Sequence, residues 1–336
     1  MKELYTDKGY LDFEKIDRLP ATFVLLIGAR GIGKTYGAIK HVVQAGKKFA
    51  LMRRTKTQAD MIRRPELSPF KPLESEIGAV DIHPISKEIS GAYVDDKLIG
   101  YTLALSTIAN LRGFDGQDIE VLIYDEFIPE PHERPIKSEE SAFLNAYETI
   151  NRNRELTGRP ALKCYCLSNS NTIDNAVCHA LALTEVLSGM VKRGQEIYLR
   201  RDTGICVIMP RRSPISAAKA ETALYKAAGD RTFVGMALDN EFTQNDFGRI
   251  ESRDLKQYKR MCSTPDFTIY CSRAGDHIYM SRSVRAEPYF DTGTIPGYEN
   301  FRLTYSYLFW EYVAGNVIFE TYTVKNSFLK LFDKKV

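Results

Sequence analysis

The chain has 336 residues, 44% of them hydrophobic and 26% charged, enough to bury a large core and to form two domains. Its net charge of +3 supplies no global basic field, so any nucleic-acid contact must be local. No apolar run approaches membrane-spanning length, and the start MKELYTDKGY lacks the apolar core of a signal peptide, which predicts a cytoplasmic protein with no membrane partner. Cys164, Cys166, Cys178, Cys206, Cys262 and Cys271 form no C-x-x-C pair and read as reduced thiols, mostly in the core. The five histidines are scattered without metal-ligand spacing, which argues against a zinc site.

Residues 1–21 form a polar lead-in. The β-branched and apolar run Thr22 to Ile27 then predicts a buried parallel strand. It runs into Gly28-Ala29-Arg30-Gly31-Ile32-Gly33-Lys34-Thr35, which fits the phosphate-loop pattern G-x-x-x-x-G-K-[ST]. A helix over Thr35 to Ala45, closed by Gly46, follows. The glycines let backbone N–H groups converge on phosphate oxygens, and the helix N-terminus adds partial positive charge. Lys34 is expected on the β- and γ-phosphates and Thr35 on Mg²⁺.

Lys48 to Arg53 reads as a second strand ending in the basic turn Arg53-Arg54-Thr55-Lys56. These cations suit phosphate contacts, to nucleotide or to DNA, or simply a solvated strand end. Prolines 65, 69, 72 and 84 break the stretch 57–91. Ala92 to Leu105 predicts a hairpin turned at Asp95-Asp96-Lys97, decorating the core sheet.

Glu120 to Phe127 (EVLIYDEF) is a buried strand ending in Asp125-Glu126. Ligands of open α/β sheets bind at the carboxyl ends of strands. There Asp125 is expected to hold Mg²⁺ and Glu126 to orient or deprotonate the attacking water. A helix is predicted over Glu139 to Leu156, with Ser138 as N-cap and Phe143, Ala146, Tyr147 and Ile150 facing the core. At about 100° per residue, Arg154 falls near the Ile150 stripe. Arg152 points roughly 200° away from it, outward. Such an arginine suits a neighbouring subunit's nucleotide, and equally an exposed helix end.

Leu162 to Leu167 is a further strand, ending in Ser168-Asn169, which can bond a γ-phosphate or serve as a turn. Residues 172–192 read as helical or irregular, and Glu196 to Arg200 with Ile205 to Met209 as a closing hairpin. The ATPase domain is expected to span 1–209. Residues 210–235, with an Ala-rich helix over 215–228 closed by Gly229, are expected to form a helical linker. A β-rich domain is expected over 236–336, with a hairpin at Phe267 to Ser272 and His277 to Ser281.

The pieces IGARGIGKTY, FALMRRTK, LIYDEF, TINRNRE, CLSN and LDNEF, in that order, resemble the DNA-packaging (encapsidation) ATPases of small tailed bacteriophages, a reduced branch of the viral large terminases. The resemblance spans about Ile27 to Phe242. It implies an α/β fold: an additional-strand P-loop ATPase domain, a helical linker and a smaller α+β RNase H-like C-terminal domain. It also implies a homomeric ring of five subunits at the portal of an empty capsid, where double-stranded DNA is driven inward by ATP hydrolysis, with a packaging RNA as a further partner. The location implied is the host cytoplasm, transiently at the portal vertex, and not the mature virion. By residue, Lys34, Thr35 and Arg30 match the phosphate loop, Asp125 and Glu126 the metal-binding and catalytic acids, and Ser168 and Asn169 the coupling motif. Arg152 matches a trans-acting arginine finger, and Arg112 a second basic residue at the subunit boundary. Arg53, Arg54 and Lys56 are the expected DNA contacts.

An RNase H-like nuclease needs several carboxylates on adjacent strands. FTIYCS and HIYMS carry none, and Asp239 and Glu241 stand without a constellation, so an inactive nuclease fold is expected. A P-loop helicase or DNA-repair ATPase, a non-hydrolysing nucleotide-binding assembly protein and a small-molecule kinase remain as other readings.

Overall fold

The computed structural model describes residues 2–111, 113–242 and 244–333. The chain divides into two compact units, Met1–Leu183 with Arg193–Asn245, and Thr184–Lys192 with Asp246–Val336.

The first unit is built on nine strands: β1 (Phe23–Ile27), β2 (Phe49–Arg53), β3 (Asp81–Pro84), β4 (Ser90–Val94), β5 (Lys97–Ala104), β6 (Val121–Asp125), β7 (Lys163–Ser168), β8 (Ile197–Arg200) and β9 (Ile205–Ile208). Their order across the sheet is β3-β4-β5-β2-β6-β7-β1-β9-β8. From β5 to β9 all neighbours run parallel, and only the edge pairs β3–β4, β4–β5 and β8–β9 are antiparallel. One strand, β7, separates loop-bearing β1 from acid-bearing β6. That insertion is the additional strand, and the expected α/β class stands.

The central strands are apolar on both faces because helices cover both. Val24, Leu26, Leu51, Ile123 and Leu167 pack with Ile39 and Val42 of the helix Lys34–Gln44. On β6 the alternate residue Tyr124 stacks on Phe143 of the helix Glu139–Asn151, with ring centroids 5.9 Å apart. Each fully buried aliphatic or aromatic side chain contributes roughly 1.5–3 kcal/mol.

The hairpin expected to decorate the sheet is part of it, and the closing hairpin also joins it. The turn at Asp95 and Asp96, both left-handed, returns β5 to pair in parallel with β2, and β9 pairs in parallel with β1. The helix expected over 139–156 stops at Asn151, where Arg152 and Asn153 turn left-handed. Asn151 Oδ1 there accepts from the backbone N–H of Leu162 at 2.9 Å, holding the chain against β7. Ser138 occupies the N-cap position, but at φ +52° its side chain makes no capping bond. The single helix expected over 215–228 is two, Pro214–Ala220 and Ala223–Ala227, because Thr222 Oγ1 donates back to Lys219 O at 2.8 Å while its backbone is extended. A further helix, Arg231–Asp239, follows. All three lie in the first unit, as do Asp239 and Glu241.

The second unit holds a four-stranded sheet, β10 (Tyr258–Ser263), β11 (Phe267–Ser272), β12 (Ile278–Arg282) and β13 (Val317–Phe319), in that order. The first three strands are antiparallel and the fourth is parallel to β12. Two helices, Ile295–Tyr305 and Tyr307–Val313, lie between β12 and β13 in the chain. Phe267, Phe301, Phe319 and Phe328 fill the core. Among the described residues no helix is long and apolar enough to cross a membrane, and no group of three or more His, Cys, Asp or Glu could hold a metal.

Candidate nucleotide site

The carboxyl ends of β1, β7 and β6 meet over one short arc. Residues 28–33 form a loop between β1 and the helix Lys34–Gln44, and the left-handed turns it requires fall on Gly31 (φ +74°) and Gly33 (φ +88°). Lys34 is buried, and its Nζ donates to Gly28 O and Ala29 O at 2.8 Å each and to Asn169 Oδ1 at 3.0 Å. All three partners are neutral. Burial therefore pulls the Lys34 ammonium down to about 7, against the opposing pull of Asp125.

The acids arrive from β6. Thr35 Oγ1 donates to Asp125 Oδ1 at 2.9 Å, which joins the first turn of the loop helix to the acid strand. Asp125 is 2% exposed, and burial raises its pKa, with Arg53 opposing. Arg53 Nη2 stands 3.0 Å from Asp125 Oδ2 as an ion pair, and among the described residues buried Oδ2 has no hydrogen-bond partner. An orphaned carboxylate oxygen beside a threonine hydroxyl is a hard-oxygen donor set, and it fits a small divalent cation such as Mg²⁺. Glu126 sits at φ +57°, a conformation costing a non-glycine residue about 1–3 kcal/mol. Its N–H is fixed on Leu167 O at 2.8 Å, while its half-exposed side chain pairs with Arg53.

Strand β7 ties the two sides together. Gly28 N donates to Ser168 O at 3.1 Å, and Ser168 Oγ accepts from Ile128 N at 3.2 Å. Ser168 and Asn169 thus contact both the loop and the segment after the acids.

The remaining expected residues fall in different places. Arg30 Nη2 pairs with Glu130 Oε1 at 2.9 Å on the loop after β6. Arg152 is exposed and donates to Phe114 O, whereas Arg154 is buried with its guanidinium on Gln117 O and Ile119 O. The inward and outward assignment is as expected, although Arg152 lies just past the helix end. Arg112 lies outside the described residues.

The three expected DNA contacts separate. Arg53 faces the acids. Arg54 is fully buried, its Nε and Nη2 on the two oxygens of Glu139 at 2.7 and 2.9 Å and its Nη1 on Glu133 at 2.7 Å. Its donors are spent inside the fold, which removes it as a DNA contact. Lys56 opens the helix Lys56–Met61 and pairs with Asp60.

Two residues at the loop carried no sequence signal of their own. Asn240 Nδ2 donates to Ile27 O at 3.0 Å, at the last residue of β1. Lys219 donates to Arg30 O and, at 3.4 Å, to Ala237 O. LDNEF pointed to the neighbourhood of Asn240, but Lys219 lies in an Ala-rich helix that reads only as a linker.

A model of the podovirus DNA encapsidation protein (Gp16) family matches residues 6–273. The chain belongs to this family. The encapsidation-family chain is 27% identical over 255 residues to the DNA packaging proteins of Bacillus phages PZA and phi29, covering 74% of itself and 69% of each relative. Its fold is similar to the bacteriophage Phi-29 viral genome packaging motor assembly, with a TM-score of 0.67 at 18% identity over 96% of this chain and 98% of that one. It is also similar to the Phi-28 gp11 DNA packaging motor, with a TM-score of 0.59 at 15% identity over 98% and 100% of the two chains. At these identities the structural likeness establishes the fold.

Proposed function

We propose that this chain is an ATP-driven motor that moves double-stranded DNA into an empty capsid, hydrolysing ATP at the boundaries between copies in a homomeric ring. The observation that carries the reading is the convergence of the Lys34-Thr35 loop with Asp125 through the 2.9 Å Thr35 bond. Family membership and the packaging proteins it resembles support the DNA cargo and the motor role; the ring of five, the portal and packaging RNA as partners, and the portal vertex as the place of work extend that reading.

In this reading the loop N–H groups of 29–35 and Lys34 bind the phosphates of ATP. Thr35 and Asp125 would hold Mg²⁺, which when bound neutralises charge developing on the β- and γ-phosphate oxygens. Arg53, paired with both acids, balances their charge at the strand tips. Glu126, the most exposed charge of the group, orients and deprotonates the attacking water. Asn169, already on Lys34, reports the phosphate end to β7. Arg30 serves the loop in cis. Arg152 of a neighbouring copy, with Arg112, stabilises charge on the transferred phosphoryl group, an effect worth about 10³–10⁵ in rate in other systems. The second unit acts as a nuclease-inactive docking module.

The reaction assignment is tested by hydrolysis with and without DNA and empty capsids, where stimulation by both is expected. The finger is tested in mixed rings. Arg152→Ala and Glu126→Gln subunits, each inactive alone, should regain partial activity together. Intact mixed rings that stay inactive at every ratio would refute the trans role.

A further inference from the structure

Three cations crowd the phosphate loop, and they differ in what neutralises them. Arg30 has a carboxylate partner, Glu130. Lys34 has only carbonyl oxygens. Lys219 belongs with Lys34, since its partners are the carbonyls of Arg30 and Ala237 and the ring of Tyr225, 5.2 Å from Nζ to centroid. Its Nζ stands 3.5 Å from where a β-carbon on Gly31 would lie, directly on the tip of the loop. Two ammonium groups with no carboxylate partner among the described residues, at a glycine loop between strand and helix, make a site for a multiply charged anion.

The placement of Lys219 is built into the fold. One helical turn before it, Ser216 Oγ donates to Leu238 O at 2.9 Å. Asn240, immediately after the helix Arg231–Asp239, is buried and bonds the end of β1. The segment 214–240 is thus fastened at the root of the loop, and Lys219 is the group it extends over the tip.

We propose that Lys219 is a second phosphate-binding cation, supplied in cis by the segment that follows the last strand of the sheet. This rests on the nucleotide-site reading and deepens it. Lys219 rests on neutral carbonyls. When a nucleoside triphosphate fills the loop, its ammonium transfers to the terminal phosphate oxygens, exchanging neutral acceptors for charged ones and gaining a stronger bond. The helices 214–239 thereby respond to whether a third phosphate is present.

The test is equilibrium binding of the non-hydrolysable triphosphate AMP-PNP and of ADP, both with Mg²⁺, to the full chain carrying Lys219→Met, Lys219→Arg or Lys34→Ala. Lys219→Met should weaken AMP-PNP about tenfold or more and ADP less than about threefold, with the nucleotide-free melting temperature in place. Lys219→Arg should restore most of the loss. Unchanged AMP-PNP binding in Lys219→Met would overturn the proposal. So would equal losses for both nucleotides with a lowered melting temperature, the signature of a brace for the Arg30 carbonyl. In either case loss of both nucleotides in Lys34→Ala leaves the site itself standing. Wild-type binding in Lys34→Ala would instead sink the underlying site.

Discussion

Two neighbouring strands of the large sheet end in adjacent like-charged pairs, and the pairs meet different fates. On β6 both acids, Asp125 and Glu126, remain at the nucleotide site, one buried against Thr35 and the other half exposed. On β2 the pair is divided. Arg53 reaches across to both acids, and Arg54 turns into the fold onto Glu133 and Glu139. The strands run parallel with Met52 opposite Tyr124, so Arg53 and Asp125 come next to each other at the sheet edge. The pleat then sends the following residue the other way. Glu126 escapes that rule only by adopting a left-handed backbone. Adjacent charges in sequence are therefore no guide to a shared role; the backbone at the second position decides.

The largest expected effect lies at that backbone exception. Glu126→Gln should lower the hydrolysis rate by about 10²–10⁴ while AMP-PNP binding persists, because the amide keeps the shape and loses the base. Rate loss in step with binding loss would place Glu126 among the binding groups instead. At the divided pair, Arg54→Met should cost about 3 kcal/mol of stability, by leaving two carboxylates without their cation. Chemical denaturation measures this. A weakened DNA affinity with stability intact would return Arg54 to the surface role its sequence position suggested.

The smallest effect concerns pH. Lys34 is held at about 7, chiefly by burial, with Asp125 and Glu126 opposing and Lys219 and Arg30 adding. Below that value it is already charged and nucleotide binding takes up no proton through it. Above it the phosphates must recharge it, so affinity should fall by up to about tenfold per pH unit, with proton uptake on binding. Calorimetry in buffers of differing ionisation enthalpy reads the uptake, which should be absent well below pH 7 and approach one proton well above it. For folding the sign is opposite. The unfolded lysine keeps its proton up to 10.5 while the native one does not, so the folding penalty is full below about 7 and is relieved as pH rises toward 10.5.

The nucleotide loop, its strand and the acid strand were legible because each follows from a local rule: glycine where φ is positive, an apolar run where both faces are buried, acids at a strand tip. Arg53 and Arg54 were legible as charges but not as partners, since the partners of Arg54 lie some 80 residues away along the chain. The helix around Arg152 was read one turn too long, because the signal that ends it, the Asn151 side chain on Leu162, is tertiary. Lys219 was illegible for the same reason. An alanine-rich helix advertises only its propensity, and the loop it caps lies 189 positions earlier.

The insertion of β7 between β1 and β6 has a further consequence. Neighbouring strands lie about 4.8 Å apart, so the two banks of the nucleotide site are spaced by two ladders of backbone hydrogen bonds. The gauge of the reaction is therefore written in main-chain geometry. Bulk added to Cys164 or Cys166, whose side chains stand off the sheet beside Tyr147 and Tyr124, would press on the helix Glu139–Asn151 and lower stability while leaving that spacing in place.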